Sequence, residues 1–328
     1  MSNDTGGAFD YFFYNKNILI TGVSGSLGSA LSRELLKPEY GVKRLAGIAR
    51  KWQPISELER ELNDPRFRPM IGDIRDIERL RLAFREVDYV FHAAAIKDVI
   101  LGTYNPGELV ATNITGTENV LRAAIDCDVK RVLVVSSDKA ADPMNAYGTS
   151  KRMAEDLTTV YNSYAADGRF ACGRWGNVFA SSGSVVPLFK KQRDAGVLTL
   201  ASMDVTRFWI EMSAAVKFAM TCLVEMEGGE IFVPKLPAST IADLARAVAP
   251  DARYEITGLR PGDKMHEVMI TGPESSRTDD LNWGYRIKPS VASWTTDAFA
   301  GGSPVAKDWV YSSASAPRLT VEQLRKML

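Results

Sequence analysis

The feature that most restricts the fold is a short apolar run that leads at once into a glycine-rich turn. Ile18-Leu19-Ile20 is followed by Thr21-Gly22-Val23-Ser24-Gly25-Ser26-Leu27-Gly28, with the spacing GxxGxxG. Glycines at this spacing permit a tight turn and let backbone N–H groups approach a pyrophosphate at the N-terminus of a helix. The pattern alone is weak, but a strand before it and a helix after it predict a dinucleotide site. Its expected contacts are Gly22, Ser24, Gly25, Ser26, Leu27 and Gly28.

Short apolar runs alternate with amphipathic segments through the rest of the first half. Strict alternation of strand and helix implies crossover connections and a parallel sheet covered on both faces. The runs are nearly all apolar, as expected of strands with both faces buried. The predicted strands span residues 17–21, 44–48, 68–72, 89–93, 131–136 and 170–174. The predicted helices span residues 26–36, 54–62, 77–85, 110–126 and 147–165.

The alternation stops after about Gly176. Helix-like segments then occur at 186–195, 206–226 and 241–248, with short strands such as 230–233 between them. Residues 258–264 have the Gly and Pro punctuation of a loop, and residues 271–317 show no clear period.

These patterns predict an α/β fold, a Rossmann-type doubly wound parallel sheet with a smaller C-terminal α/β substrate lobe. Residues 1–175 are expected to form the dinucleotide-binding domain, with roughly the first 14 residues peripheral. Residues 176–328 are expected to form mainly the substrate lobe, with some segments returning to the first domain.

Composition argues against several classes of protein. The 40 Lys+Arg residues balance 40 Asp+Glu residues, so there is no overall attraction to nucleic acid or an anionic membrane. Two histidines are too few for a histidine-rich metal site, and we expect no metal. Three scattered cysteines without a CxxC pair favour reduced thiols in a cytosol-like compartment. The polar start and the lack of an apolar run of roughly 18 residues predict a cytoplasmic protein with no membrane span.

A second cluster of functional residues follows the fifth predicted strand. Ser137-Asp138-Lys139 comes directly after the strand, and Tyr147 and Lys151 follow. A tyrosine four residues before a lysine shares a helix face with it, so Lys151 is expected to lower the pKa of the Tyr147 phenol. An alcohol dehydrogenase needs only this pair and a hydroxyl. Asp138 and Lys139 are an additional acid and amine, which indicates chemistry beyond hydride transfer unless Lys139 merely pairs with Asp138 on a surface loop.

The end of the second predicted strand distinguishes NAD from NADP. A carboxylate there would accept hydrogen bonds from the ribose 2′-OH, whereas a cation suits a 2′-phosphate. The strand ends in Arg50 and Lys51, so we predict NADP and consider NAD less favoured. The alternative for these two cations is a solvated loop. His92 ends the fourth predicted strand and is interpreted as a packed strand residue.

Further motifs carry a resemblance to a known family. TGxxGxxG, Ala93-Ala94-Ala95 and YxxxK, in this order, are similar to the extended short-chain dehydrogenases/reductases. From about residue 15 to its end, the chain resembles the inverting UDP-N-acetylglucosamine 4,6-dehydratases of bacterial glycan biosynthesis, of the pseudaminic-acid pathway type. The matching motifs are Gly72-Asp73-Ile74-Arg75-Asp76, His92-Ala93-Ala94-Ala95-Ile96-Lys97, Thr112-Asn113, Ser137-Asp138-Lys139-Ala140, Asn145-Ala146-Tyr147-Gly148, Gly176-Asn177-Val178, Thr206-Arg207-Phe208, Gly229-Glu230-Ile231-Phe232-Val233-Pro234-Lys235 and Arg260-Pro261-Gly262-Asp263-Lys264-Met265-His266-Glu267.

The resemblance implies roles for individual residues. The expected catalytic residues are Ser137, Asp138, Lys139, Tyr147 and Lys151. Beyond the glycine turn, the expected cofactor contacts are Arg50, Lys51, Asp73, Ile74, Ala93, Ala94, Ala95, Lys97, Asn113, Tyr147 and Lys151. The expected contacts of a UDP-sugar are Lys97, Asn177, Val185, Thr206, Arg207, Arg260 and Glu267, the last near the nucleotide ribose.

The implied activity is an NADP-dependent conversion of UDP-N-acetylglucosamine, or a close NDP-HexNAc, to a 4-keto-6-deoxy sugar nucleotide with inversion at C5. Asp138-Lys139 favours the inverting branch, because retaining relatives carry Asp-Glu at this place. Relatives of this type also form homo-oligomers. The alternatives are an NDP-sugar epimerase, which would use Tyr147 and Lys151 alone, and a non-catalytic NADP-sensing protein. The chain departs from the family pattern at Asp98, Ile100, Ser137 and Ser182, and the departures at Asp98 and Ser182 leave the exact sugar nucleotide open.

Overall fold

The structure is a computed structural model that describes residues 6–181, 183–292, 294 and 299–328. Its strands are β1 (Asn17–Thr21), β2 (Arg44–Ala49), β3 (Phe67–Ile71), β4 (Tyr89–His92), β5 (Arg131–Ser137), β6 (Arg169–Trp175), β7 (Asn177–Val178), β8 (Val197–Leu200), β9 (Thr206–Ile210), β10 (Ile231–Pro234), β11 (Ala238–Thr240), β12 (Arg253–Ile256), β13 (Val268–Ile270), β14 (Thr278–Leu281), β15 (Gly284–Ile287), β16 (Ser303–Pro304) and β17 (Tyr311–Ser312).

The α-helices are α1 (Gly6–Phe13), α2 (Ser26–Leu35), α3 (Trp52–Leu62), α4 (Ile77–Ala83), α5 (Val99–Tyr104), α6 (Pro106–Leu109), α7 (Gly116–Asp126), α8 (Ala146–Tyr161), α9 (Val185–Arg193), α10 (Met212–Glu225), α11 (Ile241–Val248), α12 (Gly272–Ser275) and α13 (Val321–Lys326). Short 3-10 turns lie at Pro38–Tyr40 and Asp138–Ala140, and a π-helical turn at Val110–Thr115 leads into α7. In the part of the chain that the structure describes, no helix combines the length and apolar character that crossing a membrane requires.

A ten-stranded sheet forms the centre of the molecule, in the order β3-β2-β1-β4-β5-β6-β10-β15-β14-β16. The first seven strands are parallel, and β15, β14 and β16 add antiparallel pairs at one edge. The predicted doubly wound parallel sheet is therefore confirmed. Strand order reverses between β1 and β4, and in such sheets ligands bind beyond the carboxyl ends of the strands at this point.

The glycine turn brings two segments together at this reversal. Gly22 has φ +68°, and a Cβ on it would lie 2.7 Å from the backbone N of Ala94. A Cβ on Gly28 would lie 2.5 Å from the carbonyl oxygen of Gly22. The turn after β1 therefore packs directly against the turn after β4, which only glycine allows at these positions.

A second apolar core lies under the smaller lobe. It joins β8, β9, α9 and α11 through buried residues such as Phe189, Leu198, Trp209 and Leu244, with Leu324 of the C-terminal helix. One prediction in this region was wrong, because residues 206–226 are not one helix. Thr206–Ile210 forms strand β9, and α10 begins only at Met212. The first five residues are rich in β-branched and aromatic side chains, and four of them are buried, which favours a strand.

The N-terminal segment also differs from its prediction. In place of a peripheral segment, α1 packs Phe9 and Phe13 into the main core. Phe12 stacks on Tyr89 with ring centroids 4.7 Å apart, and Phe13 packs edge-on against Tyr40. The helix therefore covers the amino end of β4, and its aromatic side chains explain why it belongs to the core.

Candidate active site

A cavity of about 630 Å³ lies beyond the carboxyl ends of β1, β4 and β5, between the sheet and the smaller lobe. It brings together many of the predicted site residues from both halves of the chain. Those that line it are Gly22, Gly25, Ser26, Leu27, Gly28, Ala93, Ala95, Lys97, Ser137, Lys139, Tyr147, Lys151, Asn177, Val185, Arg207 and Arg260. The predicted residues outside its lining are Ser24, Arg50, Lys51, Asp73, Ile74, Ala94, Asn113, Asp138, Thr206 and Glu267.

The glycine-rich side of the cavity fits a dinucleotide pyrophosphate. Gly25 is the N-cap of α2 and provides no side-chain hydrogen bond to the first turn of the helix. Ser26, Leu27 and Gly28 begin this helix and line the cavity. Backbone N–H groups of the first turn that lack a cap suit a bound anion, and the absence of side chains at the glycines leaves room for close approach.

At the end of β5, Ser137, Asp138 and Lys139 form a hydrogen-bonded group. The hydroxyl of Ser137 donates to Asp138 Oδ1 over 2.7 Å, and Lys139 Nζ donates to the same oxygen over 3.1 Å. Asp138 is 1% exposed, and its other oxygen, Oδ2, is buried and finds no hydrogen-bond partner among the residues that the structure describes. The Lys139 side chain is 23% exposed and faces the cavity, so the surface-loop alternative does not describe it.

The amine of Lys139 forms ion pairs with two carboxylates. Nζ lies 3.4 Å from Glu267 Oε1 as well as 3.1 Å from Asp138 Oδ1. Burial is the largest single influence and would lower the pKa of Lys139, but the charges of Asp138 and Glu267 outweigh it and raise that pKa above its ordinary value. The side chain is therefore an ammonium ion in this arrangement.

Tyr147 and Lys151 lie on one face of α8, as the spacing predicts. Asn145 caps this helix by accepting a hydrogen bond from the backbone N–H of Gly148. Tyr147 is buried and shares a hydrogen bond with Ser137, while Lys151 Nζ donates to the carbonyl of Val135.

Lys151, which the spacing led us to expect beside the phenol, is not among the groups that set the pKa of Tyr147. Burial raises the pKa of Tyr147, and the groups that lower it are Lys139 and Ser137. Burial also lowers the pKa of Lys151 itself to about 8. The spacing of four residues predicts that Tyr147 and Lys151 lie on the same face of the helix. It does not show which charged group lies closest to the phenol.

Several predicted substrate contacts surround the same group. Arg207 Nε lies 3.5 Å from Glu267 Oε1, and the guanidinium also donates to the carbonyls of Thr206 and Lys264. Thr206 is buried, and its hydroxyl bonds to Ser313. Arg260 is exposed and forms an ion pair with Asp263 at the mouth of the cavity.

Arg50 and Lys51 lie exposed at the carboxyl end of β2, and Arg75 pairs with the nearby Asp73 over 2.8 Å. Ile74 is buried against Gly116.

Asn113 is buried in the π-helical turn. Its side chain hydrogen-bonds both backbone groups of Ile96 and the hydroxyl of Ser150, so it fixes the segment after β4 to α8.

Two residues have structural roles that their local contacts explain. Asp98, a departure from the family pattern, caps α5 by accepting from the backbone N–H of Leu101. Ser182, another departure, lies outside the described residues.

The interpretation of His92 as a packed strand residue is confirmed, since it is 2% exposed and hydrogen-bonded to Thr21 and Thr117.

The partners of Lys139 beyond Asp138 were not evident from the sequence. Nothing in the sequence indicates that Glu267 reaches Lys139, because the two residues are far apart in the chain and are brought together by tertiary packing. The sequence also does not reveal a buried ion cluster in which Arg174 binds Glu155 of the tyrosine helix and Glu274 of α12.

The strand order and the glycine turn at the switch point define the Rossmann-type fold of a short-chain dehydrogenase/reductase, and the predicted Ser137, Tyr147 and Lys151 line its cavity. A sequence model of the family described as polysaccharide biosynthesis protein matches residues 18–289, and the chain belongs to this family.

A protein of Campylobacter jejuni subsp. jejuni serotype O:2 named UDP-N-acetylglucosamine 4,6-dehydratase (inverting) is 42% identical over 85% of this chain and 84% of its own length. The resemblance predicted from the motifs is therefore confirmed. A Rickettsia conorii protein named UDP-glucose 4-epimerase is 36% identical over 96% of both chains. The X-ray structure of Pen from Bacillus thuringiensis has a TM-score of 0.89 at 33% identity, covering 96% of this chain and 97% of that one.

Proposed function

We propose that this protein is an NDP-sugar 4,6-dehydratase that converts UDP-N-acetylglucosamine, or a close NDP-HexNAc, to a 4-keto-6-deoxy product with inversion at C5. One observation carries the proposal. Lys139 lies 3.1 Å from Asp138 and beside Tyr147, in a cavity that also contains the glycine turn. An acid and an amine in contact beside a tyrosine supply the proton transfers of an elimination, which oxidation of an alcohol does not require.

Tyr147 accepts the proton of the sugar C4 hydroxyl. Burial raises the pKa of this phenol, whereas the charge of Lys139, and after it the hydrogen bond that the phenol shares with Ser137, lower that pKa toward the phenolate that the step needs. A nicotinamide dinucleotide held at the glycine turn of Gly22, Gly25 and Gly28 would supply the hydride chemistry, oxidation at C4 and reduction at C6. The 4-keto group that forms makes the C5 hydrogen acidic.

Lys139 and Asp138 carry out the elimination. As a neutral amine, Lys139 takes the C5 proton, and as a carboxylic acid, Asp138 protonates the departing C6 hydroxyl, so that the C6–O bond breaks and water leaves. A proton can then return from Lys139 to Asp138 across their 3.1 Å contact, which restores the reactive pair without solvent. The proton that Tyr147 took from the C4 hydroxyl is the one left to protonate C5; its delivery to the opposite face gives inversion and returns Tyr147 to its starting form, so the proton count closes.

NADP is the proposed cofactor. Arg50 and Lys51 at the end of β2 support a 2′-phosphate, and no carboxylate ends that strand. The carboxylate of Asp73, on the following strand connection, is paired with Arg75.

The nucleotide diphosphate is assigned to Arg207, Arg260 and Asn177, since all three line the cavity and guanidinium groups suit bidentate phosphate contacts. Lys97 and Val185 line the same cavity. A homo-oligomer in the cytoplasm remains part of the proposal.

The test is incubation of the purified protein with UDP-N-acetylglucosamine and, in parallel, with a panel of UDP-, GDP- and CDP-sugars. Mass spectrometry should detect loss of one water from the UDP-HexNAc, and proton NMR should show a new C6 methyl signal. No added cofactor should be consumed, because each turnover regenerates it. Absence of a dehydrated product from every sugar nucleotide would overturn the proposal.

The second candidate is an NDP-sugar epimerase, which the similarity to the Rickettsia conorii protein favours. This reaction uses Tyr147 and Lys151 and leaves the mass of the sugar nucleotide unchanged, so the same spectra separate the two activities. A non-catalytic NADP-sensing protein would bind cofactor and change neither mass nor stereochemistry.

A further inference from the structure

Glu267 lies directly before β13 and is held firmly by its backbone. Its N–H donates to the hydroxyl of Ser313 over 2.9 Å, and its carbonyl accepts from the Ser313 N–H over 2.8 Å. The residue is 2% exposed. Its side chain therefore has a fixed position inside the protein and not at the rim of the cavity.

The two carboxylate oxygens of Glu267 have different surroundings. Oε1 lies 3.4 Å from Lys139 Nζ and 3.5 Å from Arg207 Nε, while Oε2 is buried and, within the described part of the chain, has no hydrogen-bond partner. Glu267 does not line the large cavity. It borders a separate cavity of about 30 Å³, shared with Lys139, Arg207, Asp263 and Lys264. That space suits a water molecule or two and is too small for a ribose.

Lys139, Arg207, Asp138 and Glu267 form a buried cluster with two charges of each sign. If Lys139 passes its proton to Asp138, Glu267 keeps Arg207 as a partner and is not left as an isolated buried carboxylate. Without Glu267, the cations Arg207 and Lys139 would face each other across this space, and Asp138 would remain as the carboxylate in contact with Lys139.

The other ionisable groups around Lys139 do not replace Glu267. Tyr147 faces Lys139 from α8, while Asp263 and Lys264 border the small cavity from the preceding loop. Lys264 pairs with Asp142 over 3.2 Å, and Asp263 pairs with Arg260.

We propose that Glu267 is a positioning residue for Lys139, which it holds against Asp138 and connects to Arg207 through one shared carboxylate oxygen. This inference rests on the proposed function for the role of Lys139 as the base. Under this proposal Glu267 acts on the proton transfers through Lys139. It does not contact the nucleotide ribose, which is the role that the resemblance implied.

The kinetic test compares Glu267→Gln with the wild type across pH. At low pH the Lys139–Asp138 pair holds two protons and Lys139 cannot act as a base. The value of kcat therefore rises with pH as the pair loses one of these protons. A neighbouring carboxylate raises the pKa of a lysine, and removing a charge at this distance changes it by roughly one unit or more. We therefore expect the acidic limb of the kcat profile to move to lower pH by about one unit, with Glu255→Gln, an exposed control, unchanged.

A second measurement does not depend on turnover. Fluorodinitrobenzene labels neutral amines, so the labelling rate of Lys139 against pH, read by peptide mass spectrometry, follows its protonation directly. We expect the midpoint to fall in Glu267→Gln and to fall less in Glu267→Asp, where the carboxylate is retained but withdrawn by one methylene. The Asp variant also keeps the test available if the Gln variant does not fold.

The two measurements separate the inference from the function on which it rests. A shifted labelling midpoint in a protein that dehydrates no sugar nucleotide would support the Lys139–Glu267 link and reject the dehydratase. Unchanged midpoints in both variants, with a higher KM for UDP-N-acetylglucosamine and an unshifted kcat profile, would make Glu267 a substrate contact and overturn the inference.

Discussion

Lys139 must lose a proton before it can act as a base, yet Asp138 and Glu267 both stabilise its charged form. Because the pKa of Lys139 is raised, its ammonium form prevails, and the proposed mechanism requires this proton to leave before the amine can accept the C5 proton. Removal of the amine should abolish the elimination while leaving the glycine turn and Tyr147 in place.

For Lys139→Ala we expect formation of the 4-keto-6-deoxy product to fall by at least about 10²-fold, the usual contribution of a general base. Exchange of the C5 hydrogen with D₂O should fall equally, whereas the Kd of NADP(H), measured by fluorescence titration, should stay the same. Lys217→Ala on the exposed face of α10 is the matched control. Retained turnover would reject Lys139 as the base.

Arg50 and Lys51 provide a second prediction at the scale of residues. If they bind a 2′-phosphate, the double variant Arg50→Ala/Lys51→Ala should weaken NADP(H) binding by about 10-fold or more and leave NAD(H) binding unchanged. Lys43→Ala, at the amino end of the same strand, controls for loss of a surface cation. Tighter binding of NAD(H) than NADP(H) by the wild type would contradict the assignment.

At the scale of secondary structure, Arg174 joins three elements. From β6 it donates to both oxygens of Glu155 on α8, to both oxygens of Glu274 on α12, and to the carbonyl of Met269. Arg174 and Glu155 are fully buried. Glu155 lies one helical turn beyond Lys151, so this cluster fixes the rotation of the helix that carries Tyr147.

We expect Arg174→Met to lower the free energy of unfolding by about 3–5 kcal/mol, because two buried carboxylates lose their shared cation. Urea unfolding monitored by circular dichroism measures the change, with the exposed Arg246→Met as the control. A loss below about 1 kcal/mol would show that the carboxylates find other partners or take up protons at little cost.

The elements were predictable where local pattern and tertiary environment agree. Strand β1 and helix α11 have the predicted bounds, because the apolar pattern and the glycine or threonine signals coincide there. The prediction of one helix over residues 206–226 failed because a buried strand and an apolar helix have similar composition. Only one residue separates β9 from α10. The packing of α1 depends on aromatic contacts with Tyr40 and Tyr89, which local sequence does not reveal.

It was easier to predict from the sequence which residues meet in the cavity than to predict the charges around them. The glycine turn, Ser137, Lys139, Tyr147 and Lys151 all line one cavity because the carboxyl ends of parallel strands share an edge of the sheet. The charge environment of Lys139 was not predictable, since it depends on Glu267 and Arg207 from the smaller lobe.

At the scale of the whole molecule, the fold holds two buried titratable groups whose effects on stability oppose each other. Burial lowers the pKa of His92 to about 3, so its contribution to stability is lost as pH falls below its unfolded value near 6.5. Burial raises the pKa of Glu230 to about 7, although both its oxygens accept backbone N–H groups from Glu227 and Gly228. Stability from Glu230 is present below its unfolded value of 4.5 and is lost as pH rises through 7.

These effects partly cancel between pH 4.5 and 6.5, so the pH curve of the wild type alone does not separate them. The variant Glu230→Gln removes one titration and leaves His92 unchanged. It should be less stable at every pH, because an amide nitrogen cannot accept the N–H of Gly228. The deficit, which is the free energy of unfolding of the wild type minus that of the variant, should shrink by on the order of 3 kcal/mol as pH rises from 4.5 to 7. The reason is that the wild type loses the stability that a protonated Glu230 provides. Urea unfolding of both proteins at half-unit intervals measures this difference. If the deficit stays constant or widens over that range, folded Glu230 does not take up a proton between pH 4.5 and 7, and the prediction is wrong.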